Sequence, residues 1–465
     1  MNQDSEQSSG RGGSEKGCDG IASLRLEIFA RLFGMAAAFH VVGNWAQPDL
    51  PHAVGLLNLA TGLTGIGLAQ FPKRSLLLGT AGLVVASALW EMPITGNHWV
   101  LAALVSAAII VSGAKALRLA PAARLILVVF YGFAAFAKLN SAFLEPATSC
   151  AVFYADQFLE SWGIARVDDQ SPFSVVAIWT TLIVELSVPL LLLWRRARWF
   201  GVLLGTSFHT LISFDLGQHF YDFTSVLLPL FFLFLPDMSV ERIAAAFGRI
   251  SPIDRRISAS VLAWVGVGLV VLASLPVTAM SEALLSRLPF IVWVPMSLCW
   301  LWLLLSARAQ PTALSWRPGV AAGVIVGVAI LNGLTPYTEV KTAYGFNMYS
   351  NLLTARGDSN HLLVTGTLPI RKYGAVEILA SSDPGLADYI GSGYLVPMPN
   401  LRRYLSTRPE TRLAYRVDNK TVVTVRAGDE PLLIDPGPWW WRFLPIRAID
   451  VRMPTRCQDT FLAAL

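Results

Sequence analysis

Residues 174–194 read SVVAIWTTLIVELSVPLLLLW, and Arg195, Arg196 and Arg198 follow at once. A helix that crosses a bilayer needs ~20 mostly apolar residues. This stretch supplies them with a single acid, Glu185, inside. The basic cluster at its end is the mark of a cytoplasmic loop. Working outward in both directions, the same pattern recurs. Apolar runs lie near 23–45, 52–71, 76–92, 99–114, 121–140, 174–194, 199–215, 223–236, 258–279, 289–306 and 318–335. The run at 223–236 is the weakest, because it is short and contains Pro229.

Loop charge tests this reading independently. With the N-terminus inside, the inner loops hold Arg11, Lys16, Lys73, Arg74, Lys115, Arg118, Arg124, Arg195, Arg196, Arg198, Arg242, Arg249, Arg255, Arg256, Arg308 and Arg317. The outer loops before residue 335 hold only Arg166 and Arg287. The asymmetry supports both the helix count and the orientation. The expected fold is therefore a polytopic α-helical membrane protein of about eleven transmembrane helices with a small β-rich extracytoplasmic C-terminal domain. Its expected location is the plasma (inner) membrane, with the N-terminus cytoplasmic.

Composition agrees. Of 465 residues, 54% are hydrophobic and 14% charged, against ~25% charged in an average soluble chain. Soluble globular, disordered, collagenous and coiled-coil classes are excluded. The net charge of +5 sits in the inner loops, so no nucleic-acid partner is expected, and the lipid bilayer is the first partner. Four cysteines without a CxxC pair offer no disulfide scaffold and no zinc ribbon.

The chain divides into a disordered cytoplasmic tail at 1–22, a membrane domain at 23–240, further transmembrane helices at 241–335 and an extracytoplasmic domain at 336–465. In the last, Arg412–Asp418 and Thr421–Arg426 alternate with period two around a polar turn and read as a hairpin. His361–Thr365 and Ala375–Leu379 are further strand candidates, and Leu401–Ser406 a short helix. Trp439, Trp440 and Trp441 form either a small core or a belt at the membrane interface.

Ionisable groups inside a membrane are costly and mark function by default. On this topology His40, His52, His98, His209 and His219 lie at the outer ends of helices, and His361 in the outer domain. Lys138, in YGFAAFAKLNSAFL (131–144), stands at the outer end of the fifth run. It is either a snorkelling lysine or a base held in an apolar pocket, a role arginine cannot take. The turn WEMPITGNHW (90–99) adds Glu91, Asn97 and His98; FHTLISFDLGQHFYD (208–222) adds His209, Ser213, Asp215, His219 and Asp222. Glu185 is another candidate, or the partner of a buried donor. The spacing matches no metal motif, and no metal is expected.

Together, Asn97-His98, Phe136-Ala-Lys138-Leu-Asn140, Phe208-His209 and His219-Phe220 resemble the membrane domain of vitamin K-dependent gamma-carboxylases. In bacterial proteins this is called the horizontally transferred transmembrane (HTTM) domain. The resemblance covers roughly 23–240, with a second similar stretch at Asn332–Thr342, Phe346–Leu352 and Ser359–His361. It implies that Lys138 is the base that deprotonates a reduced vitamin K-type quinone. His98 and His209 would be the nearby catalytic histidines, and Asn97, Asn140 and His219 would help to hold the quinone. O2 and CO2 would be co-substrates, with a glutamate side chain of a polypeptide as possible acceptor. The resemblance also implies a disulfide between membrane and outer domains, for which Cys150 and Cys457 are the two cysteines outside. The chain departs from the family in having Asn140 where an aspartate is usual and an outer region of only about 130 residues, so peptide recognition does not carry over. Two other readings remain open at this stage: a non-catalytic anchor presenting the outer domain to a periplasmic partner, and a transporter.

Overall fold

A computed structural model describes residues 9–43, 52–93, 95–166, 171–249, 260–261, 263–268, 271, 287–306, 311, 314–417 and 421–457. The chain is 63% helical, with a small β-sheet region near its C-terminus. Ten of the eleven apolar runs are helices. These are α1 (Ser9–Gly43), α2 (His52–Gln70), α3 (Arg74–Glu91), α4 (Asn97–Val111), α5 (Ala116–Ala137), α8 (Pro172–Leu193), α9 (Arg198–Ile212), α10 (Phe220–Phe232), α12 (Pro289–Ser306) and α13 (Val320–Leu334). Between them lie the short α6 (Ser141–Leu144) and α7 (Cys150–Ser161) and the amphipathic α11 (Asp237–Arg249). The run at 258–279 falls largely outside the described residues. Among the described residues, four helices are long and apolar enough to cross a membrane: Gly20–Gly43 of α1, α5, α8 and α12.

One expectation changes at the N-terminus. Ser9–Gly20, expected as part of a disordered tail, continues α1, while 1–8 lie outside the described residues. Once the apolar part of α1 is nucleated, each added residue closes a further i→i−4 bond at little cost.

The weakest run is the centre of the bundle. Every residue of α10 is buried. A helix that is apolar all round packs in the interior, so thirteen residues suffice there. It packs against α1, α9, α4 and α5. Its C-terminal carbonyls are capped by arginines. Arg25 donates to Leu235 O at 2.9 Å and pairs with Asp237 at 2.6 Å, and Arg124 donates to Leu233 O at 2.8 Å. Cations at a helix C-terminus also suit its dipole.

By contrast, α8 turns a continuous apolar stripe outward. Val176, Trp179, Ile183, Leu186, Leu190 and Leu193 are exposed at steps of three and four. Exposed apolar faces of this extent belong against lipid.

The C-terminal domain is a five-stranded antiparallel sheet in the order β6-β5-β3-β4-β7. Its strands are β3 (Ala375–Ser381), β4 (Tyr394–Pro397), β5 (Arg412–Val417), β6 (Thr421–Arg426) and β7 (Ile449–Asp450), after a two-stranded β1 (Thr354–Ala355) and β2 (Asp358–Ser359). The hairpin runs in register from Arg412↔Arg426 to Val417↔Thr421; its turn, 418–420, lies outside the described residues. Met398–Ser406 is the expected short helix. His361–Thr365 is not a strand. His361 Nδ1 accepts the N–H groups of Leu363 and Val364, which curls the chain and leaves only an isolated bridge to Asn140. The tryptophans are not a core: Trp439 and Trp440 are exposed, and Arg442 beside them donates to the carbonyls of Trp90 and Met92 at the end of α3.

Cys150 and Cys457 form a disulfide that joins the start of α7 to the far side of the sheet. Asn351 holds the same junction. It accepts from Cys150 N at 2.8 Å and donates to Thr148 O at 2.7 Å and Thr455 O at 3.2 Å. Its φ of +54° is tolerated by asparagine better than by most residues. Asn351→Ala loses three buried bonds, leaves their partners unsatisfied and strains the backbone. It is expected to cost about 3 kcal/mol or more, read as a lower melting temperature in detergent.

Lys341, buried just after α13, carries a further expectation. Burial lowers its ammonium from the usual lysine range to about 8. Between pH 8 and the unfolded value the unfolded chain binds more protons, so stability rises with pH across that window. Thermal melts from pH 7 to 10.5 should show this rise. Lys341→Met should flatten it and raise stability at pH 7.

Candidate functional site

The polar residues at one end of the helices gather into two buried clusters. The first joins α1, α3, α4 and α10. Asp222, in the first turn of α10, takes His40 Nδ1 at 2.9 Å and His98 Nε2 at 2.8 Å on the same oxygen, Oδ2. The other nitrogen of His40 meets Glu91 at 3.2 Å. Glu91 accepts from Ser87 Oγ at 2.8 Å, and Ser87 accepts from Trp99 Nε1 at 3.0 Å. The His40 ring stacks on Trp99 with centroids 3.4 Å apart.

The second cluster joins α5, α8 and α9. Lys138 caps the C-terminus of α5 and is 2% exposed, so it does not snorkel. Its ammonium pairs with Glu185 at 2.8 Å and donates to Met348 O at 3.1 Å. Glu185 is thus the partner of a buried donor. His209 lies within electrostatic reach of Lys138. It is buried among aromatic rings: Tyr131 at 5.8 Å, Phe208 at 5.2 Å and Phe223 at 4.8 Å. Among the described residues, neither of its ring nitrogens has a hydrogen-bond partner.

Phe223 separates the clusters, with its ring 5.8 Å from His98 and 4.8 Å from His209. Above them runs Tyr344–Asn351. Tyr344, Phe346, Tyr349 and Asn351 all take positive φ, which non-glycine residues hold only when their surroundings enforce it. The enforcement is visible. Phe346 N donates to Asn97 Oδ1 at 2.9 Å, and Asn347 Nδ2 donates to Thr342 O at 2.8 Å.

A cavity of about 360 Å³ opens beside this segment, lined by Asn97, His98, Tyr154, Met348, Tyr349 and Arg447 among others. That is within the size range of small-ligand sites. Met348 faces the cavity and also holds Lys138, so its backbone stands between the two.

Three residues that the resemblance assigns to the quinone are engaged with backbone. Asn97 pins Phe346. Asn140 accepts from Phe143 N and donates to Ala137 O and Ser350 O. Aspartate has no amide to donate twice, so it could not hold both Ala137 O and Ser350 O as Asn140 does. His219 Nδ1 meets Gly43 O at 2.8 Å. Asp215, grouped with them in sequence, turns its carboxylate onto Gly217 N and Gln218 N and closes a tight turn. His361 Nε2 meets Phe136 O at 2.8 Å, and burial holds its imidazole below the usual range.

His40 and Glu91 are site members that sequence reasoning left without a role. The signal was present, because each is an ionisable group at the outer end of an apolar helix. Comparison with known families, characterised proteins and solved structures gives no match to this chain.

Proposed function

We propose that this protein is a multi-pass membrane enzyme of the carboxylase-like class. It would use a reduced vitamin K-type quinone with O2 and CO2 at an outward-facing site, with Lys138 as base. The proposal includes about eleven spans, a cytoplasmic N-terminus and an outer domain at 336–465, supported by the loop charges.

The observation that carries it is His209. A buried imidazole with both nitrogens unsatisfied costs stability, and such groups are rare unless a ligand completes them. Tyr131, Phe208 and Phe223 pack edge-on against it and surround it with aromatic rings, the kind of wall that suits an aromatic ligand. Lys138 is close by and shielded from water. The hydroquinone, when bound, supplies the strong base that the carboxylation of an acceptor needs. The chain's own part is narrower. Lys138 passes its own proton to Glu185 at 2.8 Å and then takes the hydroxyl proton, and His209 orients the hydroxyl. The packed helix ends exclude water.

The test supplies detergent-purified protein with reduced naphthoquinone, O2, bicarbonate and glutamate peptides, and follows quinone epoxide. Wild type is expected to form it. His209→Phe keeps the ring and removes both orphan nitrogens. It should lower epoxide formation at least ~10-fold while raising the melting temperature, the opposite pair of changes from a structural histidine. No epoxide from wild type, with or without peptide, would favour the membrane-anchor reading.

A further inference from the structure

We infer that His40, His98 and Asp222 form a binding site for a divalent first-row transition metal ion, distinct from the Lys138 cluster. The three come from α1, α4 and α10, and one nitrogen or oxygen of each lies within 4.8 Å of the others. Ligands about 2.0–2.2 Å from a metal at tetrahedral or octahedral angles stand about 2.8–3.6 Å apart. The separations of 2.9 and 2.8 Å from Asp222 Oδ2 to the two imidazoles fall in that range.

Proton placement points the same way. His40 Nε2 faces the Glu91 carboxylate, which Ser87 holds in place. A histidine that gives its outer N–H to an oriented carboxylate turns its other nitrogen, as a lone pair, toward a metal. With its proton on Nε2, His40 presents the Nδ1 lone pair to Asp222 Oδ2 at 2.9 Å, and a cation between them joins the two acceptors. Asp222 Oδ1 is a second, independent sign: it is buried and, among the described residues, has no hydrogen-bond partner. Coordination satisfies it through the carboxylate as a whole.

The donor set selects the ion. Two imidazoles and one carboxylate suit zinc, iron(II), cobalt or manganese and not the all-oxygen preferences of calcium or magnesium. Three protein ligands leave positions open, and His98 borders the cavity, so exchangeable water or a ligand reaches the ion from there.

The experiment strips the full-length, detergent-purified protein with chelator and titrates it with Co2+. Bound metal is counted by mass spectrometry and cobalt's visible bands are recorded. One Co2+ per chain is expected, retained through gel filtration and displaced by Zn2+. His98→Ala and Asp222→Asn should abolish retention. Glu91→Gln, which leaves all three ligands in place, should weaken Co2+ binding about 10–100-fold. Lys138→Ala should still retain one ion, so the metal site stands or falls apart from the quinone reading. Substoichiometric Co2+ in wild type, or retention unchanged in Asp222→Asn, would overturn the site and leave a proton as the bridge. If the ligand variants fail to fold, unchanged Co2+ affinity in Glu91→Gln overturns it equally.

Discussion

Lys138→Ala is expected to reduce quinone epoxide formation at least ~100-fold. The same change is expected to destabilise the bundle by about 3–5 kcal/mol, because it leaves Glu185 as a buried charge without its partner. The two effects need separating, and the geometry supplies the means. Lys138→Met combined with Glu185→Leu removes both charges and keeps the volume. Replacing a buried pair in this way is often neutral or stabilising. The double variant should therefore melt near wild type and form no epoxide. Lys138→Arg makes the complementary test, since it keeps the positive charge beside Glu185 but cannot accept a proton. It too should be folded and inactive. Epoxide from a well-folded double variant would remove Lys138 from the chemistry. A wild-type melting temperature in Lys138→Ala would instead show that the pair is solvated.

Cys457→Ser is expected to cost about 2–4 kcal/mol, with the loss concentrated in the outer domain. The disulfide closes a separation of 307 residues. Chain entropy alone would put its effect at about 5 kcal/mol for so long a loop, and helices held in a bilayer reduce that because the unfolded chain is already confined. The bond also buries Cys457 against Phe143, Val152, Ile178 and Leu182. Limited proteolysis with and without reductant reads the effect, as faster cleavage within 344–457 when the link is absent. Cys150→Ser, and both changes together, should match Cys457→Ser. A double variant much less stable than either single would assign the effect to thiol packing instead.

The fold was legible where the physics is local. Apolar length and loop charge mark helices regardless of neighbours, and ten of the runs are helices. Period-two alternation placed the two hairpin strands, observed at Arg412–Val417 and Thr421–Arg426. What was not legible depends on partners far away in the chain. The burial of α10 follows from being surrounded, which its own thirteen residues do not encode. His361 looked like the start of a strand because its side chain's bonds to Leu363 and Val364 leave no trace in hydropathy. In the site, Glu185 was readable as some donor's partner, since an acid inside an apolar span needs one. The junction of His40, His98 and Asp222 was not, because it spans 182 residues from His40 to Asp222 and has no local spacing. Asn97, Asn140 and His219 show a related limit: sequence does not reveal whether a polar group faces a ligand or the backbone.

The link between Cys150 and Cys457 also sets an order of events during synthesis. On the proposed topology both thiols reach the oxidising side of the membrane, but the second is translated 307 residues after the first. The helices carrying Lys138, Glu185 and His209 are inserted well before Tyr344–Asn351 exists to cover them, and the latch that fixes that cover closes later still. A ribosome-bound chain thus holds the base without its lid. On the proposed function, the chemistry awaits that closure, and oxidative folding is the step that completes the site.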